Sequence, residues 1–539
     1  MVAAARYLPE SNRVMMPPDP PHEVPGSPDY GGQLDREDLK TATLSGARWV
    51  GASRIVAEGL GLATTVVLAR LVSPAEYGTA VVVLILPMLA TILTYEGFGA
   101  FLVVVRSCTR EQVGSAVLLS ITSGLILTAI VFFLSPLVAE PVFGPGTSQL
   151  AQLCAPIFVI ASFGAVPRAL LQRRLDWRWM NLTEIVELIG VSLSSVVLAF
   201  AGLGSKALIL GAMIGTVAAT AVLLSVAPAG RPLWDGASVR SIVKFGSSAS
   251  TAGLTAVLQK NVTFLVLGAR VAPAQVGLYW RAYQLGVEYQ SKISLITYRV
   301  AKPVLTRAER IEDLREIRTR LLRLNATLIF PLMALLIVLA PDLVPWIFGP
   351  DWRGAVVPTQ ILALAGLSTI LLTGIDAPVM AVGRPGALAI FNIAMLAGTG
   401  TVAWFTAPMG ITAVAVGIAV GQLVLLLAGQ FFLLRRLVGV PMRESLGESA
   451  AALACSGLLV VAALPVAGLL RASLEPLPLM LFVGSLGLAV YVACLRIVSP
   501  SAWGDLRTLF VRVVGARSLL RIRAMGSRFS ESKLPDTSS

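Results

Sequence analysis

Long apolar runs, bounded by proline, glycine and charged residues, dominate this chain of 539 residues. Hydrophobic residues make up 56% of it and charged residues only 14%, far below the roughly 25% charge of soluble domains. A helix of about 20 mostly apolar residues crosses a bilayer. The sequence therefore predicts an all-α integral membrane protein with about fourteen transmembrane helices. The predicted spans are 43–69, 77–100, 113–135, 150–171, 181–203, 206–227, 244–269, 277–298, 324–348, 356–381, 386–407, 411–434, 448–470 and 477–497.

Lysine and arginine are unevenly shared between the short loops that join these spans. With the N-terminus in the cytoplasm, the inside loops carry twenty-one of them, and the outside loops carry only Arg70, Lys206, Arg270, Arg353 and Arg471. This asymmetry follows the positive-inside rule and requires an even number of spans. We therefore expect a multi-pass protein with both termini in the cytoplasm. The net charge of +13 is interpreted as an orientation signal, and no nucleic-acid partner is predicted.

The polar terminal segments and the few histidine and cysteine residues indicate which kinds of site the chain lacks. Residues 1–42 are proline-rich and lack the apolar core of a signal peptide, which predicts a disordered cytoplasmic tail. Residues 498–539 are basic and amphipathic, as expected of a segment on an anionic membrane surface. The single histidine is His22 in the N-terminal tail, the four cysteines are scattered, and no GxxxxGKS/T motif occurs. We predict no enzyme active site, no metal site and no cofactor.

Two motifs occur twice in the same order. The segment Leu68–Gly78 (LARLVSPAEYG) returns as Gly268–Gly277 (GARVAPAQVG), and Val142-Phe-Gly-Pro returns as Ile347-Phe-Gly-Pro. Six spans separate the copies, so both have the same orientation, as in a parallel repeat about an axis along the membrane normal. Transporters built in this way bind substrate between their halves. The predicted units are a six-helix lobe at 43–230, a second six-helix lobe at 244–435 and an appended helix pair at 448–497.

Several ionisable residues fall inside the predicted spans, where a lipid-facing charge costs about 2.5–3.5 kcal/mol. Arg281, Glu288 and Lys292 form one polar stripe on the eighth span, and Lys260 stands on the seventh without an acid on its own helix. These residues predict a wet, net cationic path between the lobes, suited to an anionic head group such as a pyrophosphate. The predicted substrate-path residues are Arg48, Arg54, Lys260, Arg281 and Lys292.

A structural interpretation of the same charges stays open. Arg54 and Glu58, like Glu288 and Lys292, are four residues apart and can form ion pairs that hold helices together. Asp376 lies close to a predicted helix end, where an interfacial position is common. If these acids serve transport, they would couple the entry of an ion to the conformational change that moves the substrate. The candidates for ion coupling are Glu58, Glu288 and Asp376.

Several segments resemble the Wzx-type polysaccharide flippases of the multidrug/oligosaccharidyl-lipid/polysaccharide exporter superfamily. They are Leu68–Gly78, Arg173-Arg-Leu-Asp-Trp177, Phe348-Gly-Pro-Asp-Trp352 and Ala381-Val-Gly-Arg384. The resemblance implies two lobes around a cationic path in a bacterial inner membrane. It also implies that undecaprenyl-pyrophosphate-linked oligosaccharide moves from the cytoplasmic to the external leaflet for surface polysaccharide assembly. The long tails leave docking to a polysaccharide polymerase or to glycosyltransferases open.

Three other functions are weighed against this one. A multidrug or cation antiporter of the same superfamily usually has twelve spans, so the appended pair argues against it. A lipid II flippase would also have fourteen spans, and the sequence alone distinguishes it poorly from a polysaccharide flippase. A membrane glycan polymerase needs a sizeable catalytic loop, whereas the longest outside loop, about 136–150, offers only Glu140.

Overall fold

The computed structural model describes residues 57–105, 108–294, 311–372 and 375–508, and within these ranges the chain forms helices and connecting turns without a β-strand. Twelve of the helices are long and apolar enough to cross a membrane, which confirms the predicted all-α membrane class. We number the helices in chain order, one for each predicted span. They are α1 (57–71), α2 (Pro74–Val104), α3 (Arg110–Phe143), α4 (Thr147–Arg173), α5 (Trp177–Phe200), α6 (Ser205–Val226), α7 (Gly236–Arg270), α8 (273–294), α9 (Ile311–Phe348), α10 (Pro350–Leu372), α11 (Pro385–Thr406), α12 (Ile411–Val438), α13 (Met442–Leu470) and α14 (Pro476–Val498).

The two helices outside the group of twelve are α1 and α8. The spans predicted for them, 43–69 and 277–298, both run into residues outside the described ranges, so the count of fourteen stays a prediction. One predicted span, 356–381, is divided, because α10 ends at Leu372 and a separate short helix covers Asp376–Ala381. The predicted N-terminal tail lies outside the described residues, and the C-terminal tail is described only as far as 508, with 500–508 helical.

Hydrogen-bonding side chains and glycines fix the helix ends at the repeated motifs. Ser73 begins α2 with a capping box: the Glu76 amide donates to the Ser73 hydroxyl (3.4 Å), and the Ser73 amide donates to the Glu76 carboxylate (3.0 Å). In the two Phe-Gly-Pro motifs, Gly144 after α3 has φ 92° and Gly349 after α9 has φ 106°. Only glycine adopts this conformation without strain. The two copies of the motif therefore end their helices in the same way.

Residues from both copies share the largest cluster of buried apolar side chains. It includes Leu68 and Tyr77 of the first copy and Leu267, Tyr279 and Phe348 of the second. These residues lie where α1, α3, α7 and α9 end and α2 and α8 begin. We call this region the motif end of the bundle; it comprises residues 68–78, 143–147, 268–281 and 346–352. Its burial joins the two repeats, and smaller clusters, which include Leu171 in the first repeat and Leu433 in the second, lie within each of them.

Wide π-helical turns interrupt several of the long helices. Ile92–Gly99 forms such a turn within α2, Gln284–Glu288 within α8, and Gly429–Val438 within α12. A π turn carries an extra residue and changes the direction of the side chains that follow, and such turns are frequent at functional sites. Glu96 lies in the first turn and Glu288 in the second.

Candidate substrate path

The two repeated proline–glycine motifs pack directly against each other. A Cβ atom built on Gly78 would overlap the carbonyl oxygen of Pro273, and one built on Gly277 would overlap the carbonyl oxygen of Pro74. The contact is reciprocal, as expected when two parallel copies are related by an axis along the membrane normal. Because backbone meets backbone, no gap remains between α2 and α8 at this level. The structure is closed at the motif end.

Contacts between the first copy and residues at the end of α9 and the start of α10 close the same end. Arg70 donates hydrogen bonds to the backbone carbonyls of Trp346 (2.7 Å) and Ile347 (3.2 Å). In return, the indole nitrogen of Trp352 donates to the carbonyl of Ala69 (2.8 Å). The end of α1 is thereby bonded both to the end of α9 and to the start of α10. The Lys and Arg distribution predicts that this end faces outside.

Arg281 lies in the middle of this closed layer. Its side chain is fully buried, with an exposed fraction of 0%. The guanidinium carbon lies 4.6 Å from the ring centre of Tyr77, 4.7 Å from that of Phe348 and 4.8 Å from that of Trp352, within the range of cation–π attraction. Its Nη1 donates to Gln284 Oε1 (2.8 Å), whereas Nε and Nη2 have no hydrogen-bond partner within the described residues. We call these three rings the aromatic cage.

Lys260 lies further from the motif end, in the second half of α7. Gly253, Val257 and Phe264 lie near it by helical spacing and are buried, whereas Lys260 itself and Ala256, one turn back, are exposed. Phe264, one turn nearer the motif end, packs edge-on against Tyr279, Trp280 and Tyr283 of α8. These ring contacts hold α7 against α8 on the motif-end side of Lys260. Ten residues separate Lys260 from Arg270, or about 15 Å of helix, which is half of the roughly 30 Å apolar thickness of a bilayer.

Lys292 of α8 lies between two carboxylates. Its ammonium is 3.0 Å from Glu58 Oε2 on α1 and 3.5 Å from Glu288 Oε1 one turn back on its own helix. About a third of each of the three side chains is exposed (34% for Lys292, 37% for Glu58 and 35% for Glu288). The pair with Glu58 joins the first helix of one repeat to the second helix of the other. The structure thus brings three predicted site residues together.

The remaining predicted site residues do not join this group. Arg48 and Arg54 lie outside the described residues. Asp376 is exposed on the short helix Asp376–Ala381, which packs against the turn Gly429–Val438 and against α11. Arg281 is in the closed layer, and Lys260 and Lys292 are beyond it. The roles assigned to all of these residues in transport stay predictions.

The sequence interpretation missed the aromatic cage and the polar contacts around α4. Tyr77 and Trp352 stand inside the quoted motifs, so the repeats themselves could have pointed to them. Arg168, near the end of α4, has Nη2 3.9 Å from Glu187 Oε2 on α5 and lies over the ring of Tyr95. No spacing rule connects these three residues, because they come from three different helices.

The model of a family described as "polysaccharide biosynthesis protein" matches residues 67–357. The chain belongs to this family. Its similar relatives include the lipopolysaccharide biosynthesis protein WzxC of Escherichia coli (strain K12), which is 25% identical over 364 residues, 66% of this chain and 73% of that one. The teichuronic acid biosynthesis protein TuaB of Bacillus subtilis (strain 168) is 24% identical over 399 residues, 69% of this chain and 81% of that one.

Solved structures with the same fold are transporters. The lipid II flippase MurJ in an inward closed conformation matches with a TM-score of 0.67 at 14% identity, over 86% of this chain and 99% of that one. An inward-facing multidrug resistance transporter of the MATE family, from the MOP superfamily, matches with a TM-score of 0.56 at 15% identity, over 70% and 94%. The chain is thus a multi-pass membrane protein of the polysaccharide biosynthesis family, and it shares its fold with these two transporters.

Proposed function

We propose that the protein is a flippase that moves undecaprenyl-pyrophosphate-linked oligosaccharide from the cytoplasmic to the external leaflet of a bacterial inner membrane. The product would serve surface polysaccharide assembly. The observation that carries the proposal is the position of Lys260: its charged side chain is exposed inside an apolar span, about half the thickness of a bilayer along α7 from the closed end. A charge there cannot face lipid without a large cost, and a path for an anionic group accounts for it.

Alternating access follows from the two repeats. We propose that 43–230 and 244–435 act as two lobes, closed outside at the motif end and open towards the cytoplasm beyond the Phe264 cluster. The pyrophosphate would bind Lys260 through charge-assisted hydrogen bonds, which are about twice as strong as neutral ones. It would also compete with Glu58 for Lys292, and so loosen the contact between α1 and α8. Parting of the motif end would then release the head group outside.

Transport can be tested in proteoliposomes that contain a fluorescent undecaprenyl-pyrophosphate-linked oligosaccharide. The reaction is read as loss of the label's accessibility to a membrane-impermeant reagent on the entry side. We expect the wild-type protein to flip this lipid, and Lys260→Ala to slow flipping at least about tenfold, as the loss of one charge-assisted contact implies.

The matched control is Lys206→Ala, which removes an exposed lysine from the predicted outside loop between α5 and α6. We expect this variant to flip at the wild-type rate. If the wild-type protein moves a cationic drug and leaves the lipid-linked oligosaccharide in place, the protein is a drug antiporter and the proposed flippase function is refuted.

A further inference from the structure

Arg281 is a buried cation for which the described residues provide no carboxylate. The hydrogen bond to Gln284 occupies one of its nitrogens, and the π faces of the aromatic cage are the other attraction it receives. Two buried donor nitrogens, Nε and Nη2, remain unused. A buried charge is normally paired, because burying it without a partner is costly. Within the described residues, the closed structure therefore leaves two of the three guanidinium nitrogens without a hydrogen-bond acceptor.

We propose that Arg281 is a conformation-dependent anion site, caged while the motif end is closed and bound to the substrate's pyrophosphate once the motif end opens. The proposal rests on the flippase function above and adds a second binding position along its path. The ligand chemistry is that of a phosphate or pyrophosphate group, whose oxygens match the fork of a guanidinium.

The construction of the cage makes it sensitive to opening. Tyr77 stands on α2 of the first repeat. Arg281 on α8, Phe348 at the end of α9 and Trp352 at the start of α10 belong to the second repeat. The α2–α8 contact at Gly78 and Gly277 lies one turn or less from Tyr77 and Arg281. If α2 moves away from α8, the Tyr77 ring leaves with it. One face of the guanidinium is then uncovered towards the widened gap between the repeats.

This behaviour distinguishes Arg281 from the two lysines. Lys260 is exposed and Lys292 is about a third exposed while the motif end is closed, so neither side chain needs the motif end to open before it can meet an anion. A ligand shifts a conformational equilibrium only by its difference in affinity for the two states. An anion could bind Arg281 only in the open state, and its binding would therefore favour that state. Arg281 would thus draw the head group outward and hold the motif end open until release.

Opening can be measured without transport. Val276, one residue before Gly277, is buried with an exposed fraction of 1%. In a background with the four native cysteines replaced by alanine, Val276→Cys should react with a hydrophilic maleimide only when the motif end opens. The probe ligand is inorganic pyrophosphate, added to the purified full-length protein. We expect it to raise the labelling rate about tenfold, the shift that one charge-assisted contact produces.

Two neutral variants test the assignment to Arg281. We expect Arg281→Met and Arg281→Gln in the Val276→Cys background to lose the response to pyrophosphate, whatever their basal labelling rate. The Arg281→Gln variant keeps a polar side chain beside Gln284, so it provides the test if the Arg281→Met variant does not fold. An undiminished response in either folded variant would overturn the proposal, because a purely structural arginine would change the basal rate and leave the response intact.

The outcome separates this site from the proposed function. If the wild-type protein flips the lipid-linked oligosaccharide but its labelling ignores pyrophosphate, the Arg281 site is refuted and the flippase stands. If labelling responds through Arg281 while no lipid is flipped, the anion site stands and the flippase function is refuted.

Discussion

Tyr491 of α14 donates its phenolic hydrogen to the backbone carbonyl of Thr327 on α9, at a distance of 2.9 Å in a buried setting. Around this bond, α13 and α14 pack on α9 through apolar side chains that include Leu459 and Val483. At the end of α13, Arg471 pairs with Asp342 of α9 at 3.0 Å. The predicted appended pair is thus held to one helix of the second repeat by both apolar and polar contacts.

Removal of the Tyr491 hydroxyl should weaken this attachment. Tyr491→Phe keeps the ring and its packing but deletes one buried hydrogen bond, which costs about 1 kcal/mol. We expect a lower midpoint of thermal unfolding for the detergent-solubilised protein. Ser485→Ala on the same helix is the control, because the Ser485 hydroxyl is exposed and donates only within its own turn. Equal midpoints for Tyr491→Phe and the wild type would contradict a stabilising role for this bond.

Gly78 should tolerate no larger residue. In Gly78→Ala the added methyl group would meet the Pro273 carbonyl, and such overpacking costs typically 1–3 kcal/mol. Backbone cannot rotate away as a side chain can, so α2 and α8 must separate. We expect the variant to expose the motif end, seen as faster maleimide labelling of Val276→Cys.

Gly61→Ala on α1 provides the matched control, because outside its own stretch of helix the described residues place no atom within 4 Å of the added methyl group. Its labelling rate should equal that of the Val276→Cys background. Slow, background-like labelling of Gly78→Ala would show that the close approach of the two motifs does not keep this end shut.

The ion pair between Glu58 and Lys292 should contribute modestly. About a third of each side chain is exposed, and exposed pairs are screened by solvent, so a coupling of about 0.5–1 kcal/mol is expected. A double-mutant cycle with Glu58→Gln and Lys292→Met, read by thermal unfolding, measures it. Strictly additive effects would show that the contact adds nothing to the folded state. Because Glu288 also faces Lys292, Glu288→Gln in the same cycle separates the two acids.

Local patterns in the sequence predicted a large part of this architecture. Span positions follow from apolar length, and the repeats were visible as Arg70, Pro74 and Gly78 matched by Arg270, Pro273 and Gly277. Arg281, Glu288 and Lys292 were placed on one stripe by helical spacing. In the structure a π turn at Gln284–Glu288 interrupts that helix, and Arg281 faces the aromatic cage whereas Lys292 faces α1.

The contacts between distant residues could not be predicted in this way. Glu58 and Lys292 are 234 positions apart, and Trp352 bonds to Ala69 across 283. Such pairs depend on how the two repeats meet, which is decided by backbone approach at two glycines and not by the period of any one helix. The spacing of charged residues shows which of them share a helix face. The neighbouring helix decides whether each charge is buried among aromatic rings, as Arg281 is, paired with an acid, as Lys292 is, or exposed, as Lys260 is.

The start of α7 should make the stability of the protein depend on pH. Asp235 caps this helix by accepting the Ser238 amide at 2.8 Å, and its own amide donates to the Ser115 hydroxyl of α3 at 3.2 Å. Hydrogen bonds from Ser238, through its side chain and its backbone, hold the pKa of the Asp235 carboxyl below its ordinary value. The charged form is therefore favoured by folding.

A carboxyl with a lowered pKa contributes stability above the pKa of the unfolded chain, about 3.9 for Asp, and loses it as the pH falls through the folded value. We expect the unfolding midpoint to drop in this acidic window for the wild type. In Asp235→Asn the drop should be smaller, because the amide oxygen still caps the helix but does not titrate. Ser115→Ala keeps the carboxylate and should retain the wild-type slope. Parallel curves for the wild type and Asp235→Asn would show that other carboxyls govern the acid transition.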